Sequence, residues 1–70
     1  MDWKEFCKKV KEEETNAIVS GVSVQIGALI LWANGDVEVD TFDTTALPIL
    51  LAENRTYEQM LQLLEVLKEK

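Results

Sequence analysis

Asp36, Glu38, Asp40 and Asp43 fall within eight consecutive positions that contain no basic residue. Carboxylates at this density can do three kinds of chemistry. Several converging on one point hold a hard divalent cation. Two at a suitable separation can act as acid and base on a glycosidic bond. A row of them can imitate a phosphate backbone. Side chains at i and i+2 of a strand lie about 6.6–6.8 Å apart. A protein groove whose lysines and arginines await phosphates responds to such a row as charge.

The spacing separates these possibilities. Asp36-x-Glu38-x-Asp40 has the alternation of a calcium loop, but that loop turns tightly around a Gly at its sixth position. Here the intervening residues are Val37 and Val39, which belong in a half-buried strand. A chain of 70 residues offers little from which to build a glycosidase cleft. The absence of any His removes the commonest general base and excludes Ser-His and Cys-His nucleophile pairs. Cys7 is the only cysteine, so no internal disulfide and no structural zinc site are expected. Its place on an apolar helix stripe makes it a small buried hydrophobe. Three isolated glycines do not make a phosphate loop. The expectation is a protein with no catalytic residues, no cofactor and no metal.

Charge narrows the partners. The net charge is −6. Residues 1–14 sum to −1, residues 15–35 carry no charge, residues 36–43 sum to −4, residues 44–54 add Glu53, and residues 55–70 sum to zero. A protein so charged is not expected to bind bare nucleic acid or an anionic membrane, which attract basic faces. The lysines Lys4, Lys8, Lys9 and Lys11 are interleaved with glutamates, the pattern of a solvated helix face. Glu12, Glu13 and Glu14 would repel anionic lipid. Residues 17–33 are uncharged, yet they are shorter than the roughly 20 residues of a membrane span. They are also interrupted by Ser20, Ser23, Gln25 and two glycines. The charged, amphipathic N-terminus is unlike a secretory signal, so a cytoplasmic location is expected.

These residues need elements to position them. Trp3, Phe6, Cys7 and Val10 recur at helical spacing over 2–14, with Asp2 as cap. Asn34-Gly35 is a strong hairpin signal, and a type I′ turn there sets a register. Trp32 then faces Val37, Leu31 faces Glu38, Ile30 faces Val39 and Leu29 faces Asp40. Ala28, Ile30, Trp32, Val37 and Val39 would form the core face. Leu29, Leu31, Glu38, Asp40 and Phe42 would form the other. A loop at Gln25-Ile26-Gly27 would add a third strand, with Ile18, Ser20, Val22 and Val24 on the core face. Asp43 or Thr44 is expected to cap a short helix over 45–53, ended by Asn54. Thr56-x-x-Gln59 is a capping box for a last helix whose stripe is Tyr57, Met60, Leu61, Leu64 and Leu67, widened by Leu63 and Val66. The fold class is α+β: an N-terminal helix, an antiparallel meander of two or three strands, and two C-terminal helices on one sheet face, all in a single domain over 1–70.

Trp3, Phe6 and Trp32 fall on core positions, which leaves the acidic hairpin as the functional candidate. A face mixing acids with Leu29, Leu31 and Phe42 resembles an interface. A single small core supplies only about 3–5 kcal/mol, and the 47% apolar share is high for the length, which favours self-association. The first expectation is a non-enzymatic protein-binding module, regulatory or inhibitory, forming a homodimer through that face or the last helix. The second is a nucleic-acid mimic of the kind phages and mobile elements use, blocking a basic nucleic-acid-binding enzyme with Asp36, Glu38, Asp40 and Asp43, together with Glu12, Glu13 and Glu14. The third is a structural subunit of a larger assembly.

Overall fold

The computed structural model describes residues 1–43 and 45–68, the last two by backbone alone. Helix α1 spans Trp3–Glu13, and Asp2 caps it, its Oδ1 accepting the Glu5 N–H at 2.8 Å. Helix α2 spans Tyr57–Lys68. Its capping box is closed both ways: Thr56 Oγ1 accepts the Gln59 N–H at 3.1 Å, and Gln59 Oε1 accepts the Thr56 N–H at 2.9 Å. Both satisfy amides that the first helical turn leaves without a partner.

Between the helices lies a five-stranded antiparallel sheet: β1 Ile18–Val19, β2 Ser23–Ile26, β3 Leu29–Trp32, β4 Val37–Val39 and β5 Ile49–Ala52. Neighbours in sequence are neighbours in space, so β1 and β5 are the two edges. The alternation of side chains sorts the sheet into cross-strand rows. Val19, Val24, Leu31, Val37 and Ala52 form one row, and Ile26, Leu29, Val39 and Ile49 another. Both face the helices. On the opposite face runs Ile18, Gln25, Ile30, Glu38 and Leu50. The core joins Phe6 and Val10 of α1, Met60 and Leu64 of α2, and Val24, Leu29, Leu31 and Val37 of the sheet. Trp3, Phe6 and Tyr57 pack as an aromatic triangle across the two helices, with centroids 5.3–5.7 Å apart.

The sheet has five strands where two or three were expected, because Ile18–Val19 folds back on β2 and Ile49–Ala52 joins β4, and three further expectations are corrected. The β3–β4 register is slipped by one residue from the expected one: Leu31 faces Val37, Ile30 faces Glu38 and Leu29 faces Val39. The loop has three residues, not two. Gly35 N–H donates to Trp32 O, Trp32 N–H donates to Asp36 O, and both bonds are 2.9 Å. Gly35 alone takes a positive φ, +97°, while Asn34 does not, so the turn is not type I′. A one-residue slip exchanges the faces. It puts Leu29 and Leu31 inside with Val37 and Val39, four branched chains on one surface. Trp32, which carries a polar N–H, goes to the outer face.

The β2–β3 turn is also shorter than expected. Ile26 faces Leu29 across the two-residue loop Gly27-Ala28, with Gly27 at φ +58° as the first central residue of a type II′ turn requires. Ile18, Ser20 and Val22 are accordingly exposed and not in the core. Residues 45–53 are not a helix. Asp43 closes a single turn instead of capping one: its carboxylate accepts the Thr45 N–H at 2.9 Å and the Thr45 hydroxyl at 2.7 Å. Pro48 has no N–H to give a helix, and Ile49–Ala52 pairs with the open side of β4. Asn54 takes φ +55°, but at the end of a strand. The alternative cap, Thr44, and the side chain of Leu67 lie outside the described residues.

Candidate protein-binding surface

The hairpin that carries the acids is anchored before it reaches solvent. Gly35 O accepts the Arg55 N–H at 2.9 Å, and a Cβ at position 35 would lie 2.5 Å from Arg55 O. Only glycine fits there. Tyr57 donates its hydroxyl to Ala33 O at 2.8 Å, fastening the loop to the start of α2.

Each of the four acids has a neutral partner. Asp36 is half-buried in the loop, where its Oδ2 accepts from Asn34 Nδ2 at 3.2 Å. Glu38 accepts the Trp32 indole N–H on the outer face. Asp40 accepts the Phe42 N–H at 2.9 Å through Oδ1, and Gln25 Nε2 reaches its Oδ2 at 3.5 Å. Asp43 is exposed, and the hydrogen bonds from the Thr45 amide and then the Thr45 hydroxyl hold its carboxyl below the usual carboxylate range. Among the described residues, none of the four makes an ion pair. Nor is any group of three or more Asp, Glu or Cys arranged to hold a metal ion. Cys7 is half-buried, and desolvation raises its pKa, so its thiol is poorly ionised.

The apolar residues expected beside the acids part company. Leu29 is 8% exposed and Leu31 is fully buried, so both belong to the core. Only Phe42 lies on the surface, 73% exposed. Its φ of +59° is a strained conformation for a bulky residue, held by the Asp40 turn.

A different surface emerges at the β5 edge. Leu47, Ile49, Leu50 and Leu51 are 87, 57, 45 and 56% exposed, and Val66 on the neighbouring flank of α2 is 56% exposed. Leu51 is an extra residue on β5, because Val37 pairs with Ala52 while Glu38 pairs with Leu50. It joins Met60, Leu63 and Val66 in lining an apolar groove of about 400 Å³ between β5 and α2. Among the described residues, Arg55 is the only charged one lining it. No family model, curated protein or solved structure matched this chain. The surface has therefore to be read from its own chemistry.

Sequence reasoning missed this edge because it assigned 45–53 to a helix. One signal was available: residues 44–52 contain no charge and one proline, an odd composition for a helix on the surface of an acidic protein.

Proposed function

We propose that the chain is a small, acidic, non-enzymatic protein-binding module, regulatory or inhibitory in kind and cytoplasmic, that engages its partner through the β5 edge. The observation carrying this reading is Ile49–Ala52: an edge strand with no charged residue and three large side chains about half exposed. Edge strands present a row of unpaired backbone groups to other chains and are normally blunted by charge, proline or extreme shortness. Main-chain pairing at such an edge, with side chains seated in an adjoining groove, is a recurrent mode of protein recognition.

A second reading has its own observation. Glu38 and Asp40 lie on the sheet face opposite the helices, and none of the four acids makes an ion pair among the described residues. This supports a nucleic-acid mimic directed at a basic nucleic-acid-binding protein.

One capture experiment separates the two. The immobilised chain is offered host lysate and washed at low and then high salt. Leu50→Lys and Glu38→Lys/Asp40→Lys variants, each checked for folding, run in parallel. The edge reading expects a protein that survives high salt and is lost with Leu50→Lys. The mimic expects release at high salt, since exposed charges are screened, and loss with the double variant. Capture indifferent to Leu50→Lys would remove the edge from consideration.

A further inference from the structure

The two edges of the sheet are treated differently. β1 is two residues long and ends at the Ser20 turn, whose hydroxyl accepts the Ser23 N–H at 3.0 Å. Lys11 Nζ lies beside it, donating to Ala17 O at 2.7 Å. Short length and a nearby lysine are the usual protections of an edge. β5 is four residues long and carries no charge, and no element among the described residues pairs with its outer side. Its one irregularity, the bulge at Leu51, turns that side chain toward α2 and does not cover the strand.

We infer that the occupant of the β5 edge is a second copy of this chain, added antiparallel through β5 about a twofold axis normal to the sheet. This rests on the protein-binding reading above and names its partner. Three observations select a second copy. The first is charge. Each copy carries −6, but residues 44–52 carry none, so two copies can meet there without setting acids against acids. A basic partner would be drawn instead to residues 36–43.

The second is that both layers are open at this edge. Ile49 ends a core row that runs through Ile26, Leu29 and Val39, yet it is 57% exposed, and Val66, which lines the groove with Leu51, is 56% exposed. A lone peptide strand would extend the sheet and could seat side chains in the groove, but it brings no helix to meet the flank of α2. A second copy brings strand and helix together, so β5 meets β5 and the flank of one α2 meets that of the other. An interface that looks like a core cut open is the mark of homodimers.

The third is register. Leu50 lies on the outer face, and Ile49 and Leu51 lie toward the helices. Across Ile49–Leu51, where the faces alternate, a twofold normal to the sheet keeps faces matched only when the paired residue numbers sum to an even value. Centring on the strand sets Leu50 opposite Leu50 of the second copy, and Ile49 opposite its Leu51.

Area fixes the strength. With roughly 60–120 Å² for each fully exposed aliphatic side chain, the five exposed aliphatics of this edge offer about 200–350 Å² per copy. A standard homodimer interface uses about 500 Å² of apolar surface per partner. The dimer therefore belongs to the weak, reversible class and dissociates on dilution.

The test is sedimentation of the full chain over about a hundredfold dilution, with Leu50→Lys, Leu50→Glu and their equimolar mixture alongside. Like charges directly opposite one another destabilise a strand pair and unlike charges restore it. Each variant alone should weaken dimerisation about tenfold or more, and the mixture should recover it. Leu50→Glu also faces Glu38 within its own copy, so a second variant guards against misfolding. Leu50→Cys, made with Cys7→Ala, should oxidise to a covalent dimer, because directly paired strand residues lie within disulfide reach. A wild type that stays monomeric throughout overturns the inference and leaves the protein-binding reading to the capture experiment. A dimer that tolerates both charged variants places the second copy elsewhere and also overturns it. Loss with each variant but neither rescue nor cross-link rejects the twofold at Leu50.

Discussion

A lysine at position 31 distinguishes the two β3–β4 registers by the sign of its effect. In the register expected from Asn34-Gly35 as a type I′ turn, Leu31 lies on the outer face opposite Glu38. Leu31→Lys would then add an unlike-charge cross-strand pair, stabilising by about 0.2–1 kcal/mol, and Leu31→Ala would stay within about 0.5 kcal/mol of wild type. In the structure, Leu31 is fully buried at the centre of the core, paired with Val24 and Val37. Leu31→Ala should therefore cost about 2–5 kcal/mol. At about 0.05–0.15 kcal/mol per residue, a domain of this length has some 4–10 kcal/mol in total. The alanine variant is thus marginal. The lysine variant, which also buries an unpaired charge, should not fold. Urea unfolding followed by far-UV circular dichroism, at one fixed protein concentration because the chain is expected to associate, measures both. A neutral alanine or a stabilising lysine would refute the slipped register and with it the assignment of faces.

Two further predictions concern the loops that hold the hairpin. Gly35→Ala introduces a Cβ against the Arg55 backbone at a left-handed position. The strained backbone alone costs about 1–3 kcal/mol, so the same urea assay should show a clear loss, and an unchanged midpoint would reject the docking of the loop on Arg55. Asp43 has a folded pKa below its unfolded value. Any stability it contributes is therefore present above the ordinary carboxylate pKa of about 3.9 and is lost as pH falls through the lower folded value. NMR titration should place its midpoint below that of a free aspartate, and Thr45→Ala should bring it part of the way back, while a normal midpoint in the wild type would contradict the Asp43 turn.

The elements set by local rules were legible in the sequence. Asp2, Thr56 and Gln59 declared both helix starts, because capping is decided within four residues. The α+β class followed from a 3.6-residue period giving way to a 2-residue one. What was not legible depended on tertiary choice. Asn-Gly admits loops of two or three residues, and the length was settled by whether the helices cover Leu29 and Leu31 or Ile30 and Trp32. Ile49–Ala52 is a short apolar run that suits helix or strand equally. The open side of β4 decided it. Both errors fell on the candidate site. Exchanging the faces moved Leu29 and Leu31 from the surface to the core, and reading β5 as helix hid the exposed edge. Glu38 and Asp40 lie on the outer face as expected, but Asp36, Glu38 and Asp40 are half-buried beside neutral donors.

Amide hydrogen exchange of residues 49–52, followed by NMR at high protein concentration and after about a hundredfold dilution, tests the role of the β5 edge most directly. The amides that point away from β4 should be protected in the concentrated sample and should exchange freely in the dilute one. Fast exchange at both concentrations would mean that no second copy occupies the edge. Equal protection at both would mean that the chain covers β5 by itself, contradicting an open binding edge.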